Sequence, residues 1–375
     1  MCAECVFDKN VWKGTSEMKK RYLILEDGTI FQGWAFGAEC DALGELVFTT
    51  NVVGYVETLT DPSYCGQIIL QTFPLIGNYG IMEEDFEGKP LCKGYVVKEY
   101  CRQPSNFRCQ YDLDTFLKNH NIPGIYGVDT RELTIRLREY GVVNAMISDR
   151  IPEDFEAIAA YSITGAVNQA TGAVQEEYPA KGAEKHHVVL IDYGAKLNII
   201  HSLTARGCRV TSVPAWTSAE DILALDPDGI LLSNGPGDPA ENTGCIEVIR
   251  KLIGKKPMFG ICLGHQLLAL AMGGKTVKLK YGHRGGNQPC HQVGTRRTYI
   301  TSQNHGYAVA AATVSGGVES FVNANDGTNE GMDYPQARAF SVQFHPEACS
   351  GPKDTNALFD RFTDMMKEER SYAAE

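Results

Sequence analysis

Long uninterrupted apolar runs are missing from this chain of 375 residues. The longest, MFGICLGHQLLALAMGG, is broken by His265 and Gln266 and falls short of the ~20 apolar residues that a bilayer span demands, so no membrane segment is expected. The opening MCAECVFDKNVWKG holds no sustained apolar stretch ending in a small-residue cleavage site. Secretion therefore has no support, and a cytoplasmic location is the expectation. Also absent are internal repeats, heptad arrays and blocks of one charge. The formal net charge of -11 is spread along the chain, which favours solubility and argues against indiscriminate nucleic-acid binding. A disulfide framework is not indicated either. The twelve cysteines are scattered, and reduced thiols are expected. Cys2 and Cys5 form a Cys-x-x-Cys with no matching pair downstream, a weak basis for a redox or zinc role. Neither Gly-rich stretch ends in the Lys-Ser/Thr of a phosphate loop, so direct ATP use by this chain is not expected.

What is present divides into two regimes. Residues 21–60 read as short strands and turns, with an Asp-Gly turn in RYLILEDGTIFQGWAFG. DLDTFLKNHNIPGIYGVDTRELTIRLREYG adds two short amphipathic helices, the second capped by Asp129 or Thr130. DTREL at 129–133 thus explains itself as a helix start. The first module is a mixed α/β domain, 1–180. A polar, Ala/Gly/Glu-rich stretch places the boundary between about 176 and 187. From His187 the pattern alternates strand and helix, predicting an α/β domain over 187–375 with a mostly parallel central sheet. Reactive residues of such a sheet cluster at the carboxyl ends of its strands.

The sharpest local feature is Gly260-Ile261-Cys262-Leu263-Gly264, between a buried-type strand and an apolar helix. It predicts a cysteine nucleophile elbow, in which the glycines allow close approach and the helix N-terminus favours a negative sulfur. A buried structural cysteine is the plainer alternative, so a base must be found. Phe344-His345-Pro346-Glu347 supplies one: on an extended segment His345 and Glu347 share a side, so Glu347 can orient the imidazole that takes the proton from Cys262. Hydrolysis of a carboxamide also needs an oxyanion site. Ser233-Asn234-Gly235-Pro236-Gly237 follows a strand, and the Gly235 N–H can face the same oxygen as the Leu263 N–H. Gly237 gives clearance and Asn234 a brace; an ordinary glycine-proline turn is the alternative. His265, beside the cysteine, is expected to pack against or hydrogen-bond the turn.

Together GICLGHQ, SNGPGDP, QNHGYAV and FHPE resemble the class I, triad-type glutamine amidotransferase domain, over roughly 187–370. The resemblance implies Cys262 as nucleophile, His345 as acid/base, Glu347 as its orienter, and Leu263 and Gly235 as oxyanion donors. It also places Gln266, Asn304, Gly306, Tyr307 and Gly237 around bound glutamine; the family often has Phe where Tyr307 stands. The first domain, through LEDGTIFQGWAFGA, FTTNVVGYVETLTDPSYCGQ and YGVDTRELTIRLREYG, is similar to that of the small subunits of carbamoyl phosphate synthetases, as is YGHRGGNQP in the second. In that family a Ser often stands at Asn51 and reaches toward glutamine; Asn keeps a donor and an acceptor but is longer.

This second resemblance implies a two-part enzyme. The small subunit, with no cofactor of its own, hydrolyses glutamine, and ammonia travels through an enclosed passage to a large subunit. That partner uses bicarbonate and two ATP, with Mg2+, to make carbamoyl phosphate, and the heterodimers can assemble further. Asp41 and Glu45, near the domain junction, receive no role. His283, Arg284 and His291 suit a polar interface or a metal site, and the resemblance favours subunit contact or loop support with no metal. A related synthase glutaminase or a stand-alone γ-glutamyl hydrolase is the alternative, against which the first domain weighs. A non-catalytic scaffold subunit is opposed by the three triad residues.

Overall fold

The structure is a computed structural model that describes residues 19–348 and 350–374; Cys2 and Cys5 lie outside the described residues. Seven strands of the first half close into a barrel. The Asp27-Gly28 turn, with Gly28 at φ 82°, folds Lys20–Leu25 back on Ile30–Gly37. Closure comes when Lys20–Leu25 also pairs with Val143–Ser148. Ala42–Thr49, Gln67–Gln71, Gly94–Val97 and Pro123–Tyr126 run parallel to their successive neighbours. Parallel neighbours require crossover connections, and the first of these carries residues 50–66 out of the barrel toward the second domain. The helix Thr130–Tyr140 begins at Asp129, whose Oδ1 accepts the Arg131 and Glu132 N–H groups at 3.1 and 3.0 Å. This cap satisfies two of the donors that a helix start leaves free.

The second domain is built on one ten-stranded sheet. Cys208–Pro214, His186–Asp192, Gly229–Leu232, Met258–Ile261 and Ala339–Val342 are parallel, in that spatial order. Their near-continuous apolar sequences follow from burial on both faces, under the helices Leu197–Thr204, Thr243–Leu252, Leu263–Ala271 and Leu358–Ala374. The polar segment near 176 contributes an edge strand, Glu176–Tyr178, paired antiparallel with Cys208–Pro214. Beyond Ala339–Val342 the sheet continues antiparallel, ending in the long pair Thr276–Gln292 and Thr298–Val309. Phe259 anchors one face: its ring stacks on Phe340 at 4.3 Å and meets Phe359 edge-on at 5.6 Å. Truncation of such a ring to Ala costs about 3–5 kcal/mol. No helix among the described residues is long and apolar enough to cross a membrane.

Candidate active site

Three loops leave the carboxyl ends of three adjacent parallel strands. Ser233-Asn234-Gly235 follows Gly229–Leu232, Cys262 follows Met258–Ile261, and Gln343-Phe344-His345 follows Ala339–Val342. Cys262 joins its strand directly to the helix Leu263–Ala271, and its backbone adopts φ 53° and ψ -101°. A non-glycine residue in such a conformation stores about 1–3 kcal/mol of strain. The glycines beside it are there for room: a Cβ on Gly264 would lie 2.3 Å from the Leu232 carbonyl oxygen, and one on Gly235 would lie 2.4 Å from that of Tyr193. The Cys262 N–H donates to Val342 O at 2.9 Å, and the Gly264 N–H to Ser233 O at 2.9 Å. These bonds tie all three loops together.

The Cys262 thiol contacts Asn304 O at 3.7 Å and receives the Gln343 side-chain N–H at 3.5 Å. His345, buried, holds Glu347 Oε1 on Nδ1 at 2.7 Å, while its Nε2 has no hydrogen-bond partner. Burial and the Lys196 charge work against protonation of His345, but Glu347 and Cys262 outweigh them and push its pKa up to about 10. Glu347 is also buried; despite that, His345 and Lys196 hold its carboxyl below the ordinary range.

A cavity of about 340 Å3 opens over the sulfur, and its walls include Gly235, Gly237, Gln266, Asn304, Gly306 and Tyr307. Gln266 is fixed by donating to Tyr307 O at 2.8 Å and to Gln343 Oε1 at 2.9 Å. Burial and the nearby Asp238 carboxylate push the Tyr307 phenol up. Leu263 packs against Gly235, since a Cβ on that glycine would meet Leu263 Cδ2 at 2.7 Å. Asn51 is placed differently. It lines a separate space of about 30 Å3 with His345, Lys196 and Asp61, and the two spaces share Asn304. Its backbone carbonyl accepts from Gln71, and its Oδ1 lies 3.3 Å from where a Gly286 Cβ would be.

Several residues that the motifs did not single out complete the arrangement. Lys196, just past the strand His186–Asp192, is buried with Nζ 3.2 Å from Asp61 Oδ2 and 3.9 Å from Glu347 Oε1. Asp61 Oδ2 also accepts from Asn304 Nδ2 at 2.9 Å, and Asn234 Nδ2 donates to Ser63 Oγ at 3.0 Å. Both Asp61 and Ser63 belong to the excursion from the barrel, so the first half of the chain forms part of the site. Glu45 joins it too, holding Lys278 Nζ at 2.8 Å on the cavity wall. The readable signal was a lysine at a strand's carboxyl end and the Asp-Pro-Ser turn at 61–63.

The loop carrying Asn304 has its own support. His305 contacts Tyr307 O through Nδ1 at 2.8 Å and packs edge-on against His283 at 5.0 Å. His283 holds Asp326 Oδ2 at 2.8 Å and Glu330 Oε1 at 3.3 Å. His283, His305 and Glu330 are the one group among the described residues whose donor atoms come close enough to share a metal ion, within 4.8 Å. His291 is elsewhere, 3.4 Å from Thr298 Oγ1. His265 contacts Ser341 Oγ at 2.8 Å, and burial lowers its pKa to about 3. The nine cysteines among the described residues are all free thiols.

Residues 189–365, which hold most of this sheet and its carboxyl-edge loops, match the family described as glutamine amidotransferase class-I. Residues 23–147 match a second family, the CPSase domain of the carbamoyl-phosphate synthase small chain. The chain is 49% identical over 357 residues to the carbamoyl phosphate synthase small chain of Oceanobacillus iheyensis, covering 93% of this chain and 97% of that protein. Against the protein of the same name from Bacillus cereus, identity is 50% over 355 residues, 93% of this chain and 96% of the relative. Against that of Syntrophotalea carbinolica it is 48% over 371 residues, 94% and 99%. The chain belongs to the carbamoyl phosphate synthase small chain family.

Proposed function

We propose that this chain hydrolyses L-glutamine at Cys262 and delivers the ammonia to a large synthetase subunit, which makes carbamoyl phosphate from bicarbonate and two ATP. The observation that carries this reading is Cys262 at a strained strand-to-helix junction, on the wall of a cavity of about 340 Å3, together with the buried His345–Glu347 pair, on whose imidazole Cys262 acts electrostatically. In this reading the junction is a nucleophile elbow and the three residues a triad. The sulfur, as thiolate, attacks the γ-carboxamide carbon. The oxygen that becomes negative faces the N–H groups of Leu263 and Gly235, preorganised for that charge. His345, already protonated, gives its proton to the departing ammonia and leaves a thioester; it then takes a proton from the water that releases glutamate.

Gln266, Asn304, Gly306, Tyr307 and Gly237 hold the amino-acid end. Asn51 takes part through the smaller space behind His345. Ammonia keeps its nucleophilic lone pair only while unprotonated, so an enclosed route to the partner preserves both nitrogen and coupling. The small chain carries no cofactor; ATP and Mg2+ act in the large subunit. The division of labour follows the chain, with 1–180 completing the site and 187–375 carrying the nucleophile, in a cytoplasmic protein.

A diazoketone analogue of glutamine, applied to the complex of both subunits, tests the assignment by mass spectrometry of the digested chain. The label is expected on the peptide that contains Cys262. Labelling of any other cysteine, with Cys262 unmodified, would remove the nucleophile from this reading.

A further inference from the structure

Arg284 lies on Thr276–Gln292, directly opposite Asn304 in the paired strand. Its side chain forms part of the wall of the cavity over Cys262, yet it is only 4% exposed. Burial of a guanidinium is costly unless its donors and charge are met. Here they are not. Nη1 donates to Tyr281 O at 2.6 Å, while Nε is buried without a partner.

Arg21 shows how this fold meets the charge of such a group when the role is structural, even though its Nη2, like Arg284 Nε, is buried without a partner. Its Nη1 donates to the carbonyls of Phe36, Ala38 and Gly124, and its Nε binds Asp149 at 2.8 Å. Arg284 has no carboxylate within ion-pair distance among the described residues. The acids nearest to it in function are already taken: Glu45 holds Lys278 at 2.8 Å and Asp61 holds Lys196 at 3.2 Å. The Arg284 fork thus has no carboxylate bound to it, although Glu45 acts on it from a distance and Glu26, Asp238 and Glu241 also line the cavity. Nη2 lies 3.3 Å from where a Cβ on Gly306 would be, so a side chain at 306 would crowd the fork.

A ligand that lays a carboxamide on Cys262 places its other end in the same cavity, and in glutamine that end bears a carboxylate. Resting on the glutaminase reading, we infer that Arg284 binds the α-carboxylate of the substrate and makes the site specific for an amino acid over a simple amide. The pairing is charge-assisted and suits the planar fork. A lysine at the same place keeps the charge but loses the two-point geometry.

The test compares glutamine with 4-aminobutanamide, which is glutamine without its α-carboxylate, on the complex of both subunits. The wild-type complex prefers glutamine in kcat/KM. R284M lowers that preference by about 10- to 100-fold, through KM for glutamine, with little change for 4-aminobutanamide. R284K falls between, and G306A, which crowds Nη2, lowers the preference in the same direction. Synthesis from supplied ammonia reports that each variant folds and docks. Equal losses on both substrates in R284M and G306A overturn the inference and leave the glutaminase reading standing. A wild-type complex that hydrolyses neither substrate removes both.

Discussion

Asp61 and Lys196 form a buried ion pair, 3.2 Å between Oδ2 and Nζ, that joins the excursion from the barrel to the sheet domain. Burial opposes both charges. The attraction prevails: Asp61 is held below the ordinary carboxylate range by Lys196, and Lys196 is raised by Asp61, Glu347 and Glu87. Because Asp61 also fixes Asn304, the pair couples domain contact to the loop that carries Asn304. D61N leaves a buried ammonium with a weaker partner and is expected to destabilise the chain by about 3–5 kcal/mol. It also raises KM for glutamine. Denaturant unfolding and steady-state kinetics check the two effects; unchanged stability would show that the pair is not a structural tie.

Replacement of Cys262 separates chemistry from conformation. C262A abolishes glutamine-driven synthesis but keeps most of the synthesis from supplied ammonia, because the partner's chemistry does not pass through this sulfur. C262G is equally inactive. Because the backbone is held at φ 53° and ψ -101°, glycine is expected to be the more stable of the two by about 1 kcal/mol, reversing the usual order. Thermal unfolding of the two variants measures it.

The His345–Glu347 pair predicts a pH response of definite sign. A histidine raised to about 10 contributes stability in full below its ordinary pKa of about 6.5 and loses it as pH rises through the folded value. In the proposed mechanism the imidazolium that protonates ammonia disappears over the same alkaline range, so glutaminase turnover is expected to fall there. In E347Q the carboxylate that raises the pKa is gone while the opposing Lys196 charge remains, and the alkaline fall moves to lower pH. H345A is expected to cost more turnover than E347A, since in the proposed mechanism Glu347 only orients and charges the ring. An E347Q profile identical to wild type would separate Glu347 from the imidazole.

Local sequence signals carried the sheet domain well, because each depends on neighbours in the chain. Alternation of apolar strands and helices located the parallel sheet, and glycines at 260, 264 and 235 marked places where a Cβ would collide with a carbonyl. Asp129 as a helix cap is legible for the same reason. What depends on distant partners was not. Closure of the barrel pairs Tyr22 with Ser148, and no short-range pattern encodes that. Lys196 reads as a solvated charge until Asp61 is brought to it across the domain contact. Arg284 reads as interface material; only the fold shows it buried beside Cys262. Asn51, placed near glutamine by the resemblance, lines the small space that His345 also lines, a position set by the path of the loop between the barrel and the sheet.

His265 gives the opposite pH response to His345. It is fully buried, touches Ser341 Oγ at 2.8 Å, and burial lowers its pKa to about 3. In the unfolded chain it takes up a proton below about 6.5, and in the folded chain it does not. The unfolded state then binds more protons, so stability is present above that pH and declines as pH falls toward about 3, by up to about 1.4 kcal/mol per pH unit from this one residue. H265N cannot take up the proton. Its unfolding free energy between pH 6 and pH 4 should therefore fall less steeply than that of the wild type, even though the variant starts from a lower stability at neutral pH. Parallel slopes for the two proteins would mean that His265 is protonated in the fold, and the packing of the helix Leu263–Ala271 on Ser341 would need a charged imidazole at its centre.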